Sequence, residues 1–142
     1  MNSKEQITKF VQVNGANAIP RMSRMLFVDR TITDMSIKDS TYSGFTALHY
    51  QASIGDTETV AWLLRLEPSP DIEARDIGGN TPLILAAFRG CDPEGKVRLL
   101  LDFGADRNAT SKSGKTAYDY ALKFNKRVVA DMLENYFPDV SR

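Results

Sequence analysis

Cysteine and histidine are each present only once in this chain, as Cys91 and His49. A lone cysteine excludes an intrachain disulfide, and without a Cys or His cluster no zinc site can be assembled. One histidine rules out any mechanism that needs two, and no nucleophile or orienting group can be assigned beside His49 for a general-base role. Neither sign of charge is in excess, with 18 Lys and Arg against 18 Asp and Glu. A balanced chain gives no electrostatic case for binding nucleic acid or a membrane surface. No apolar run approaches the ~20 residues that span a bilayer. Behind Met1-Asn2-Ser3-Lys4-Glu5-Gln6 there is no apolar core of a secretory leader. The reducing cell interior, cytoplasmic or nuclear, is the expected location, where the sequon Asn108-Ala109-Thr110 would stay unglycosylated.

What the chain does have is a period. Thr46, Thr81 and Thr116 are spaced by 35 residues, within Gly44-Phe45-Thr46-Ala47-Leu48-His49, Gly79-Asn80-Thr81-Pro82-Leu83-Ile84 and Gly114-Lys115-Thr116-Ala117-Tyr118-Asp119. Self-similarity at a fixed period marks a stacked repeat architecture, which offers an extended surface rather than a closed pocket. The 142 residues suffice for one such domain.

Each unit reads as the same sequence of local structures. Gly44, Gly79 and Gly114 close short polar stretches, at positions that call for positive φ in a tight turn. Thr46, Thr81 and Thr116 then cap short helices expected near 46–54, 81–89 and 116–124, and Pro82 fits the first helical position. Gly55, Gly90 and Asn125 are expected to end these helices in the left-handed conformation. A more apolar helix follows in each unit, with core stripes Val60, Trp62, Leu63 and Leu64; Val97, Leu99, Leu100 and Leu101; and Val128, Val129, Met132 and Leu133.

This order, with Gly-x-Thr-Ala-Leu-His at 44–49, Gly-Asn-Thr-Pro-Leu at 79–83 and Leu-Leu-Leu-Asp-Phe-Gly-Ala-Asp at 99–106, resembles the ankyrin repeat over about 36–137. The resemblance implies an all-α ankyrin-repeat solenoid. Three clear repeats are expected at 36–70, 71–105 and 106–137, followed by a tail at 138–142. Residues 1–35 would form a degenerate N-terminal capping repeat. Against a family period of ~33, each unit carries two extra residues, placed near Glu67-Pro68-Ser69-Pro70 in one and Cys91-Asp92-Pro93-Glu94-Gly95 in the next. Lys123, Lys126, Arg127, Asp131 and Glu134 would give the last unit a polar outer face.

The resemblance also implies roles. His49 would tie neighbouring turns by hydrogen bonds. Leu100, Asp106 and Asn108 fall at the spacing seen where some ankyrin proteins are hydroxylated on asparagine, with Arg107 in place of the usual aliphatic residue. A protein partner would be met by the turn tips Tyr42, Ser43, Phe45, Ile77, Gly78, Asn80, Lys112, Ser113 and Lys115. It would also meet the last helical positions Ser53, Ile54, Phe88, Arg89, Lys123 and Phe124. Tyr42, Phe45 and Ile77 are large apolar groups where water is expected, which fits a binding hot spot; the alternative is that Phe45 and Ile77 pack against adjacent turns and Phe88 against its neighbour helix. The lysines of the third unit, set against Glu58, Glu67, Asp71, Glu73 and Asp76 in the middle, predict a partner with an acidic end. The expectation is therefore a monomeric, non-catalytic adaptor, inhibitor or assembly chaperone that uses no cofactor.

The alternative is a nucleotide site. Ala109-Thr110-Ser111-Lys112-Ser113-Gly114-Lys115-Thr116 matches a relaxed phosphate loop, with Ala109 in the place of the first Gly. The repeat frame accounts for Gly114 and Thr116 and leaves only Lys115 to be explained. The carboxylate pairs Asp92/Glu94 and Asp102/Asp106 read as solvated faces.

Overall fold

The Thr46, Thr81 and Thr116 hydroxyls accept the backbone N–H of the residue three places on, at His49, Ile84 and Asp119. Each bond satisfies a helix-terminal amide that has no partner within its own helix, so each threonine starts a helix. The computed structural model describes residues 44–55, 57–65, 70–89 and 92–136. Six helices lie among them: α1 Ala47–Ile54, α2 Thr57–Leu64, α3 Pro82–Phe88, α4 Pro93–Asp102, α5 Ala117–Lys123 and α6 Arg127–Asn135. The expected first unit at 1–35, the tail at 138–142, Tyr42, Ser43, Gly90, Cys91 and Glu67 to Ser69 lie outside the described residues.

The helices form two layers. The first helices of the units stack α1 on α3 on α5, and the second ones stack α2 on α4 on α6, while each first helix also packs on the helix that follows it. Ala52, Ala86, Ala87 and Ala121 are fully buried in the first layer, where their small side chains leave room for close helix approach. Leu48, Leu83, Leu85, Val60, Val97 and Leu100 fill the space between layers. This is the all-α solenoid expected from the repeat.

Gly44, Gly79 and Gly114 have φ of +72°, +75° and +77°, so the turn glycines carry the same left-handed backbone in every unit. In the second unit the Gly79 N–H donates to Asp76 O and the Asp76 N–H to Asn80 O, both at 3.0 Å. Residues 111–115 repeat this pattern, with Gly114 to Ser111 and Ser111 to Lys115 at 2.9 Å. The Lys112 N–H donates to Gly78 O at 3.0 Å and joins the two tips.

Three expectations need correction. Gly55 is extended (φ −85°, ψ −178°) rather than left-handed. A Cβ there would lie 1.8 Å from Gln51 Oε1, so glycine at 55 makes room for the buried Gln51 side chain that folds over it. Asn125 does adopt the left-handed cap, at φ +58°. Val128 belongs to no core stripe. It is 56% exposed, because α6 turns Val129, Ala130 and Leu133 inward instead. The outer face of the last unit is therefore mixed, with Leu122 and Val128 exposed among Lys123, Arg127, Asp131 and Glu134.

Candidate functional site

The short helices end in register. Ile54, Arg89 and Phe124 follow one another at the 35-residue period, each one place after Ser53, Phe88 and Lys123. Ile54 and Phe124 are 48% and 47% exposed, and Arg89 and Lys123 reach into solvent. The half-buried Phe88 ring stacks on Tyr120 at 4.9 Å and on Phe124 at 5.0 Å, with planes within 19° and 14°. The Lys123 ammonium lies 5.7 Å above the Phe124 ring, within cation–π range.

Tyr120 connects this aromatic row to the turn tip of the third unit. Its hydroxyl shares hydrogen bonds with Ser111 Oγ at 2.9 Å and Ser113 Oγ at 3.1 Å. These bonds hold the Tyr120 pKa below the usual phenol value, with smaller contributions in the same direction from Lys115 and Lys123. Lys112 and Lys115 flank that tip, the first exposed and the second half-buried. On the neighbouring tip Ile77 is 69% exposed, an apolar side chain standing in water.

Other expected contact residues turn inward. Phe45 is only 9% exposed. Its ring stacks on His49 at 5.6 Å and meets Tyr50 edge-on at 5.2 Å, so it is a core residue and not a tip. Ser53 is buried. Asn80 is half-buried and fixed, since its N–H and Nδ2 both donate to the Asp76 carboxylate. Asp76 also accepts the Gly78 N–H, while Asp71 accepts the Glu73 N–H and Glu73 the Asp106 N–H. Asp71, Glu73 and Asp76 thus hold loops together.

His49 is fully buried, and its bonds define its tautomer. Nδ1 accepts the Thr46 N–H at 3.1 Å and the Thr46 hydroxyl at 2.8 Å, so the proton sits on Nε2, which donates to Asn80 O at 2.9 Å. The ring closes its own helix cap and ties it to the next turn.

A family model described as ankyrin repeats (3 copies) matches residues 21–93, and one described as ankyrin repeats (many copies) matches 69–121. The chain belongs to the ankyrin repeat family. Among curated proteins it is 36% identical over 100 residues to neurogenic locus notch homolog protein 1 of Xenopus laevis, covering 70% of this chain and 4% of that one. It is 37% identical over 99 residues to the B-cell lymphoma 3 protein homolog of Mus musculus, covering 69% of this chain and 21% of the relative. The chain thus spans a small part of the relatives it matches. Ankyrin repeats as a family mediate protein–protein contacts.

An ankyrin turn, not a phosphate loop, occupies 109–116. The amides that would cradle phosphate are already donated: Ser111 to Lys115 O, Lys112 to Gly78 O, Gly114 to Ser111 O and Thr116 to Asp119 Oδ2. Thr116 Oγ1 accepts the Asp119 N–H, and the element before the loop is helix α4 where a phosphate loop needs a strand. No cluster of three or more His, Cys, Asp or Glu among the described residues is arranged to hold a metal, and no described helix is long and apolar enough to cross a membrane.

Apart from the His49 bond, the polar ties between units were missed by sequence reasoning. Asp92, with φ +49°, caps α4 by accepting the Gly95 N–H, and it also accepts the Thr57 hydroxyl at 2.6 Å. Those two bonds, the Thr57 one foremost, hold its pKa below the usual 3.8. Lys96 is buried on α4 and its Nζ donates to Gly55 O at 3.1 Å. Arg75 donates to Gly79 O at 2.9 Å and to Thr110 O. Arg107 donates to Leu133 O at 3.1 Å and to Glu134 O and Tyr136 O, closing the end of α6. It lines a shallow cleft with Asn108, Thr116 and Tyr118, and the Asn108 N–H is held by Asp106 Oδ1.

Proposed function

We propose that this chain is a non-catalytic, monomeric interaction module. It binds another protein across Ile54, Ile77, Phe88, Arg89 and Phe124, with Lys112, Lys115 and Lys123 along one side. The observation that carries this reading is the contiguous patch built by Tyr120, which bonds to the third tip while its ring stacks on Phe88 beside the half-exposed Phe124. Exposed aromatic and aliphatic groups bordered by cations have the composition of a binding hot spot. Adaptor, inhibitor and assembly-chaperone roles are three uses of this one contact.

Site-specific photo-crosslinking tests the face. A crosslinking residue at Ile77 or Phe124 should give discrete protein adducts in cell extract, and one at the exposed Arg98 or Asp102 of α4 should not. Adducts from α4 with none from Ile77 and Phe124 would overturn the proposal.

A further inference from the structure

We infer that the occupant of this face is an acidic peptide segment carrying aliphatic or aromatic anchors. The inference rests on the interaction reading above and adds the chemistry of the partner. Arg89 follows Phe88, Lys123 lies over Phe124, and Lys112 and Lys115 flank the turn tip to which Tyr120 is bonded; none of the four forms an ion pair with a carboxylate among the described residues. Several acids of the adjoining segments are hydrogen-bonded within the fold. Asp76 binds Gly78 and Asn80, Glu73 binds the Asp106 amide, and Asp119 binds the Thr116 amide in its capping box. The chain is neutral as a whole, yet these four cations have no carboxylate partner among the described residues, and an acidic partner would complement them.

The apolar part selects among acidic partners. Ile54, Ile77 and Phe124 each leave about half or more of their surface in water. Covering them calls for Leu, Ile, Phe or Trp side chains at intervals along the partner. A single-stranded nucleic acid would need free ring faces for its bases. Here Phe88 is already stacked on two rings and the Lys123 ammonium sits over Phe124, so stacking surface is in use. An extended peptide with carboxylates between its anchors meets both the cations and the apolar ends.

The test uses the intact chain and four fluorescent probes. Three are synthetic peptides with identical Leu and Phe anchors, spaced by Asp and Glu, by Ser and Gln, or by Lys and Arg. The fourth is oligo-deoxythymidine. The acidic peptide should bind most tightly, and its affinity should fall as salt rises. Replacing Lys112, Lys115 and Lys123 together by Glu should weaken it on the order of tenfold or more and improve the basic peptide. The parallel variant with Gln at the three positions should fall between, and circular dichroism verifies that both stay folded.

Equal binding of the acidic and neutral peptides would overturn the inference. So would indifference to the charge reversal, or tighter binding of the oligonucleotide. If the neutral peptide bound equally but lost affinity on Phe124→Ser and Ile77→Ser, the interaction face would stand and only its charge preference would fall. If no peptide bound and crosslinks arose only from α4, both readings would fall together.

Discussion

The three turn glycines offer a comparison in which backbone conformation is constant and surroundings differ. Replacing each by alanine imposes the same left-handed strain, about 1 kcal/mol. At Gly114 an added Cβ meets nothing within 4 Å, so the cost should stay near that value. At Gly44 the closest atom is Ile77 N at 3.6 Å, an ordinary contact, and the cost should be similar. At Gly79 the Cβ would lie 2.8 Å from the Lys112 backbone nitrogen and 3.0 Å from its Cγ. The flexible Cγ can move aside. The nitrogen cannot, because it donates to Gly78 O at 3.0 Å and joins the two tips. Losing that bond adds about 1 kcal/mol, and the remaining displacement brings the total for Gly79→Ala to roughly 2–3 kcal/mol. Urea denaturation followed by far-ultraviolet circular dichroism measures the differences. Gly114→Asn should cost less than Gly114→Ala, since asparagine tolerates the left-handed region. Equal losses at positions 79 and 114 would refute the reasoning, because the contact between tips would then carry no energy.

The two capping boxes should differ in weight. His49→Ala leaves the buried Thr46 N–H and Asn80 carbonyl without these partners and should cost about 2–4 kcal/mol in the same denaturation assay, whereas the exposed Asp119→Ala should cost about 1 kcal/mol. Asp92 adds a pH effect whose sign follows from its depressed pKa. Its contribution is complete above the unfolded value of 3.8 and is lost as pH falls through the lower folded value. Solvent exposure keeps that contribution small. Asp92→Asn keeps a residue suited to φ +49° while removing the charge, so stability–pH curves of the two proteins should be offset above pH 3.8 and converge at lower pH. A constant offset through the acid range would show that Asp92 acts through geometry alone.

How much of this was legible in the sequence depended on how local the chemistry was. A threonine cap, a proline at the first helical position and a positive-φ glycine each obey rules spanning a few residues, so repetition at 35 residues was enough to place them. His49 became legible through its family resemblance, since its second partner, Asn80, lies in the next unit. Phe45 was misread for a related reason. Its position varies in the repeat (Phe45, Asn80, Lys115), and the period cannot tell whether an aromatic there faces water or folds onto His49 and Tyr50. Lys96 gave no warning either, because its charge argued for the surface while its helical position beside Val97 placed it against the preceding unit at Gly55.

The same period contained a signal that was not used. In a stack, residues one repeat apart are spatial neighbours, so polar side chains near that spacing are candidates for direct bonds. Thr57 with Asp92 and Arg75 with Thr110 are 35 apart, and Asp102 with Tyr136 and Gly78 with Lys112 are 34 apart. Donors and acceptors set at this distance therefore mark the joints between units. Ile54, Arg89 and Phe124 share such a register at the ends of the short helices, and they belong to the face proposed above for a partner.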